Sequence, residues 1–337
     1  MYHERDTKID ILRFIAIICI IIAHSGAPTL IFQLRNFDVI LMVLLLGTSF
    51  YLSQNNKISY INYIYKRFKR LIIPTWTFLT LFFVLFLIIS LVVGNKYYFN
   101  LEQIITSYAL VGGIGFVWIM KVFFIVAIIS PIILGVSKKI KSNQLYWLVL
   151  ISLYVLYSIL LIINNSLTGK FQNLFDLFIV QGFGYGLIAA IGIRLKLLNR
   201  KEIITICMIF FFLFVFLMFK YDFISTQQFK YPPKIYYISY GLFMSFLLYI
   251  LLDISQIHRL FNNKGVFFLS KNSLWLYFWH IIPIYILDIF GDRIPLINNY
   301  FITRFVFIFI IALFFTYIHE NIKHRIKLKN KRLAKTA

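Results

Sequence analysis

Residues 71–94 read LIIPTWTFLTLFFVLFLIISLVVG, twenty-four positions without one charged side chain. A helix of about 20 apolar residues is long enough to cross the hydrocarbon core of a bilayer. Immediately before this run stand Lys66, Arg67, Phe68, Lys69 and Arg70, a block of cations of the kind that stays on the cytoplasmic side. The rest of the chain has the same character: 337 residues, 61% hydrophobic and 14% charged, with a mean hydropathy of +0.84. A soluble domain has about 45–50% apolar and about 25% charged residues. Folded in water, this composition would expose far more Phe, Ile and Leu than solubility allows. Lipid is therefore the solvent. That excludes a cytosolic enzyme and a secreted disulfide scaffold. It also excludes a nucleic-acid binder, although the formal charge is +22.

Working outward from that run, ten apolar segments are long enough to span. They lie at roughly 9–26, 37–53, 71–94, 116–136, 145–163, 175–194, 203–220, 236–252, 273–289 and 301–318. The first has a charged lead-in, but Arg13 sits inside it and no A-x-A site follows, so it is expected to remain as a span. Cations then fix the orientation. Lys57 and the 66–70 block follow the second span, and Lys138, Lys139 and Lys141 the fourth. Lys196, Arg200 and Lys201 follow the sixth, and Arg259, Lys264 and Lys271 the eighth. The intervening loops are poor in positive charge, and Lys323 through Lys335 close the chain. Both termini are expected to be cytoplasmic. The reading is an all-α polytopic membrane protein of one domain, residues 1–337, with a basic cytoplasmic tail at 319–337. Heavy use of Ile, Lys, Asn, Phe and Tyr suggests a bacterial plasma membrane. The outer segment 220–235 contains Tyr231-Pro232-Pro233 and reads as a semi-rigid loop.

Charge inside a bilayer is costly, so each intramembrane ionisable residue is a functional candidate by default. Arg13 and His24 lie eleven positions apart in the first span. At about 100° and 1.5 Å per residue they share one helix face, about 16 Å apart along the axis. Asp10, one turn before Arg13, is placed to pair with it. The plainer alternative is a snorkelling Arg13 and an interfacial His24. Arg67 and Arg70, with Lys66 beside them, also share a face. They read either as positive-inside anchors or as a cradle for phosphates. Asp38 opens the second span within reach of His24 across a short loop. Trp118 and Lys121 begin the fourth span, Tyr231 lies in the outer loop, and His280 lies midway along the ninth. These four are candidates for lining a substrate path. Gly182 and Gly186 read as a small-xxx-small helix contact. Cys19 and Cys207 read as buried small side chains. There is no Cys/His spacing for zinc, no P-loop lysine after Gly112, Gly113 and Gly115, no G-x-S-x-G and no H-E-x-x-H. No metal is expected.

Taken together these segments resemble the integral-membrane acyltransferase-3 family, of the type that acetylates bacterial surface polysaccharides. DILRFIAIICIIIAH at 10–24 is similar to its first helix, and KRFKRLIIP at 66–74 to its arginine pair before the third. FVWIMKVFF and SLWLYFWHIIPIY resemble its fourth-helix aromatic segment and its late Leu-Tyr-x-x-His segment. KYPPKIYYISYG resembles an outer loop. One departure is the second helix, where many members carry Ser-Gly and this chain reads Leu45-Leu46-Gly47-Thr48. The resemblance implies transfer of an acyl group, usually acetyl, from cytoplasmic acetyl-CoA to a hydroxyl of a lipid-linked or cell-surface glycan such as capsule, exopolysaccharide or O-antigen. It makes Arg13 and His24 the catalytic pair and Arg67 and Arg70 contacts for the CoA phosphates. His24 then serves as general base, since an imidazole titrates near neutrality. Asp38 is placed to orient it, as triad carboxylates do. The competing class is a transporter or flippase of lipid-linked glycans. A glycan polymerase is a third reading, without the large outer loop that it would need.

Overall fold

All ten apolar segments are helical in the computed structural model, which describes residues 6–53 and 59–336, without side chains beyond Asn330. No strand occurs among the described residues. Lys57 and the tail side chains from Lys331 onward lie outside the description. Among the described residues eight helices are long and apolar enough to cross a membrane, and a ninth is reached if Ile235–Leu251 is counted with the short Ser255–Phe261 that follows it. The two expected spans outside the eight are Thr7–Ala23 and Ile235–Leu251, each of 17 residues and so at the short end of the spanning range.

Local chemistry sets the boundaries. Asp6 accepts from the Ile9 amide, and Ser59 and Ser142 cap their helices in the same way. Asn199 and Glu202 close a reciprocal capping box before Arg200–Lys220. The helix holding the 71–94 run is longer than its apolar part: it runs Tyr60–Val93 and stops at Gly94, whose φ of 74° suits a residue without Cβ. The 66–70 cations therefore stand on a rigid helix and not in a loop, because Lys and Arg are good helix formers. The last helix likewise runs on through the basic tail, Phe301–Thr336.

The chain divides into two compact units, Met1–Asp38 with Gln256–Ala337, and Val39–Ser255. In the second unit Trp118–Lys139 packs on Gln181–Arg194. A Cβ on Gly182 would lie 3.0 Å from Ile125 Cγ2, and one on Gly186 2.7 Å from Ile129 Cδ1, which is the close contact that small residues permit. Pro131 cannot donate to the Ala127 carbonyl. Tyr63 Oη donates to that oxygen at 3.0 Å, and Tyr60 Oη to the neighbouring Ile128 carbonyl at 3.0 Å. Proline in a lipid-bathed helix is tolerated when neighbours satisfy the freed groups in this way. Arg200–Lys220 and Ile235–Leu251 pack through aromatic pairs such as Phe214 with Tyr240, centroids 4.8 Å apart. The 220–235 segment is held by its backbone: Tyr185 Oη donates to the Lys230 carbonyl at 3.2 Å and Tyr157 Oη to that of Pro233 at 3.0 Å. The Tyr231–Pro232 bond is cis.

Arg194 was not singled out in the sequence, yet it ties three segments together. Only 3% exposed, it donates to Asn143 Oδ1, to the Ser137 carbonyl and hydroxyl, and to the Lys141 carbonyl, at 2.8–3.3 Å. It thereby satisfies carbonyls at the end of Trp118–Lys139 that no helical amide can reach. Arg194→Met should destabilise the protein by about 3 kcal/mol, because several buried acceptors lose a charged donor at once. Arg194→Lys should recover only part, since an ammonium lacks the planar fork. Thermal unfolding in detergent reads both. An unchanged midpoint for the methionine variant would mean that the clip contributes nothing.

Candidate active site

In the first unit, Thr7–Ala23 runs unbroken from Arg13 to its last turn, so the two polar residues keep their spacing along one helix. Arg13 Nη1 donates to Asp10 Oδ1 at 3.1 Å and to Ser270 Oγ at 3.4 Å, and Ser270 Oγ donates to the same carboxylate oxygen at 3.0 Å. Ser270 arrives on Lys264–Lys271. Asp10 is buried and Arg13 partly exposed. A buried carboxylate paired and hydrogen-bonded in this manner is far less costly than a lone one.

The helix ends at His24, which is half-buried. Its ring lies 5.5 Å from that of His280, centroid to centroid, at an interplanar angle of 37°. His280 owes its place to Pro283, which has no amide for the Trp279 carbonyl. The ninth apolar segment accordingly breaks into Ser273–Trp279 and Ile281–Phe290, with His280 at the joint and its ring fully buried. His280 Nδ1 is hydrogen-bonded to the Tyr277 carbonyl oxygen. A carbonyl only accepts, so Nδ1 is the donor in this bond.

Asp38, at the start of Asp38–Leu52, accepts from Arg35 Nη1 at 2.9 Å, both side chains being buried. The Arg35 guanidinium also lies over the Phe32 ring, 3.8 Å from its centroid. The carboxylate therefore has a structural cation of its own.

The other sequence-derived residues belong to the second unit. Arg67 lies over the Tyr63 ring at 4.9 Å and Lys69 over Tyr65 at 4.4 Å. Lys66 and Arg70 are exposed. The Arg67 and Arg70 charges act on one another, as a spacing of three on a helix requires. Trp118 opens its helix and meets Tyr231 edge-on, centroids 4.7 Å apart. One turn later Lys121 is buried, 5.8 Å from the Phe178 ring centroid.

Residues 6–320 match the family model described as an acyltransferase domain, that of the acyltransferase-3 proteins. The chain belongs to that family. No curated protein and no solved structure matches it. This acyltransferase is thus a multi-pass membrane enzyme that requires an acyl donor and an acceptor. Among its described residues no three His, Cys, Asp or Glu side chains gather as a metal site. The structure adds three residues to those that the sequence singles out: Ser270, which locks Asp10 to Arg13; Arg35, which pairs Asp38; and Asp176 near Lys121. Asp176 carried a readable signal, since it is an acidic residue inside an apolar run. Ser270 carried none. Thr48, standing near the family's usual serine, bridges two helices by donating to the Leu44 and Gly192 carbonyls.

Proposed function

We propose that this acyltransferase moves an acetyl group from acetyl-CoA to a hydroxyl of a lipid-linked or cell-surface glycan in a bacterial plasma membrane. The observation that carries this reading is the half-buried His24 beside the buried His280, at the end of the helix whose Arg13 is fixed by Asp10 and Ser270. The alternation of cation-rich and cation-poor loops supports cytoplasmic termini and a cytoplasmic 66–70 segment, the side on which acetyl-CoA is made available.

In the reaction, His24 takes the proton of the acceptor hydroxyl as its oxygen attacks the thioester carbonyl carbon. The new C–O bond forms, the C–S bond breaks, and the imidazolium returns its proton to the departing CoA thiolate. Atoms and charges balance without a further reagent. His280 acts as a positioning residue, since a fully buried ring cannot reach an acceptor. Arg13 stabilises negative charge as it develops on the carbonyl oxygen, and Asp38 favours the imidazolium electrostatically.

Arg67 and Arg70, with Lys66, bind the CoA phosphates. Two cations on one helix face repel each other, and a bound polyanion turns that repulsion into attraction. Replacing both arginines by Lys keeps the charge but removes the two-donor fork. The apparent KM for acetyl-CoA should rise roughly 5- to 150-fold, or about 1–3 kcal/mol. A truncated acetyl-thioester without the nucleotide should show no such rise. Equal losses for both donors would assign the pair to the fold instead. The proposal as a whole is tested by release of CoA from acetyl-CoA by the purified protein and by transfer of labelled acetyl to membrane glycan. An absence of both would dismiss it.

A further inference from the structure

In the Val39–Ser255 unit the segment Phe175–Val180 winds as a π-helix between Gly169–Leu174 and Gln181–Arg194. Such winding is rare and is frequently found at functional sites. Here it carries Asp176. Each carboxylate oxygen is met by an amide: Asn164 Nδ2 donates to Oδ1 at 3.3 Å and Gln181 Nε2 to Oδ2 at 2.7 Å. A carboxylate only accepts, so both amides are fixed with nitrogen toward Asp176. Their own oxygens, Asn164 Oδ1 and Gln181 Oε1, are buried without a donor, on side chains of residues only 6% exposed. Lys121, 5% exposed, lies within electrostatic reach of Asp176 but forms no ion pair with it, and its Nζ is buried without an acceptor.

One cluster, drawn from three α-helices and the π-helical segment, thus holds an ammonium without an acceptor and two amide oxygens without a donor. Native proteins leave few buried polar groups unsatisfied, and each calls for an explanation. A group that satisfies Nζ must accept, and a group that satisfies the amide oxygens must donate. A carboxylate or phosphate accepts but has no proton to give, and it would face the Asp176 charge. A metal ion would suit the oxygens and be repelled by Lys121. A hydroxyl does both, whether it belongs to water or to a sugar. One helical turn away Trp118 meets Tyr231, and Tyr185 lies 6.3 Å from the Trp118 ring, so apolar aromatic surface adjoins the polar cluster, as the two kinds of surface of a sugar ring require. We propose that Lys121, Asp176, Gln181 and Asn164 form a hydroxyl-reading subsite for an uncharged unit of the saccharide acceptor, with Trp118 and Tyr231 offering their rings to its C–H face. This rests on the acceptor being a glycan.

Saturation-transfer NMR on the full chain in nanodiscs tests it, with methyl glucoside, methyl galactoside and methyl N-acetylglucosaminide as probes and methyl glucuronide and glucose 1-phosphate as charged counterparts. The wild type should bind at least one neutral glycoside more tightly than either anion. Lys121→Met and Gln181→Met should each weaken that binding at least tenfold. Without ligand, Lys121→Met should also raise the unfolding midpoint by about 2–4 °C, since a buried ammonium without a partner is replaced by an apolar chain of similar length. A merely structural lysine would lower it. Binding that is absent in the wild type, unchanged in both variants, or strongest for the anions would overturn the proposal. The NMR signal needs no catalysis. Sugar binding that depends on Lys121, in a protein that releases no CoA, would keep the subsite and dismiss the acetyl-transfer reading; CoA release with no sugar binding would do the reverse.

Discussion

Replacing His24 by Ala should lower the acyl-transfer rate by about 10²–10⁴-fold, the range that a positioned general base supplies. The expectation follows from a contrast between two neighbouring imidazoles. His24 caps its helix and is half-buried, and it is the imidazole to which the proposed mechanism assigns the acceptor proton. His280, 5.5 Å away, is fully buried, with Nδ1 engaged by the Tyr277 carbonyl. The proposed base is accordingly the first and not the second. The alanine variant should keep its affinity for acetyl-CoA, because the residues assigned to the phosphates stand on another helix, and it should elute as the wild type does in detergent. His280→Ala should cost less, and the loss should fall on kcat with little change in acceptor KM, as expected when the base is misaligned and no binding contact is removed. A folded His24→Ala enzyme with near-normal transfer would remove the general-base assignment.

What could be read in the sequence is what depends on neighbours along the chain. Apolar length gives each helix, a spacing of three gives the Asp10–Arg13 pair, and Gly182 with Gly186 gives a helix contact, all of which the structure contains. The nature of the contact could be read, but not that Ile125 and Ile129 fill it. The meeting of His24 with His280 joins residues at opposite ends of the chain, and Ser270 reaches Arg13 across a similar separation. No local pattern encodes either. The cations of the 66–70 block mark the membrane boundary equally well whether helix or loop carries them; the Ser59 cap before Tyr60 is the local signal that the helix begins ahead of them. Asp176 is legible as an acidic residue inside an apolar run, but the π winding that carries it is not. Its run reads as a span in either winding, and periodicity does not distinguish a π turn from the α-helix around it.

The largest effect on the fold should come from two glycines whose roles the sequence did not disclose. A Cβ on Gly47 would lie 2.1 Å from the Ala189 carbonyl oxygen, and one on Gly192 2.0 Å from that of Leu44. The obstacle is backbone on both sides, so no rotamer change relieves it. Here the helices Asp38–Leu52 and Gln181–Arg194 touch main chain to main chain, and Thr48 Oγ1 spans the crossing at 2.9 Å from the Gly192 carbonyl. In lipid, such approach replaces the hydrophobic force that is missing between helices. Gly47→Ala and Gly192→Ala should each destabilise by about 3 kcal/mol or more, at or above the upper end for overpacking, because the whole helix pair must separate. Gly135→Ala is the control. It lies inside Trp118–Lys139 with nothing within 4 Å of an added Cβ, so helix propensity alone acts and should stabilise by about 0.5–1 kcal/mol. Unfolding midpoints and the monodisperse fraction in detergent distinguish the three. If all three variants behave alike, the two backbones do not touch, and the contact between these helices must be rebuilt from side chains.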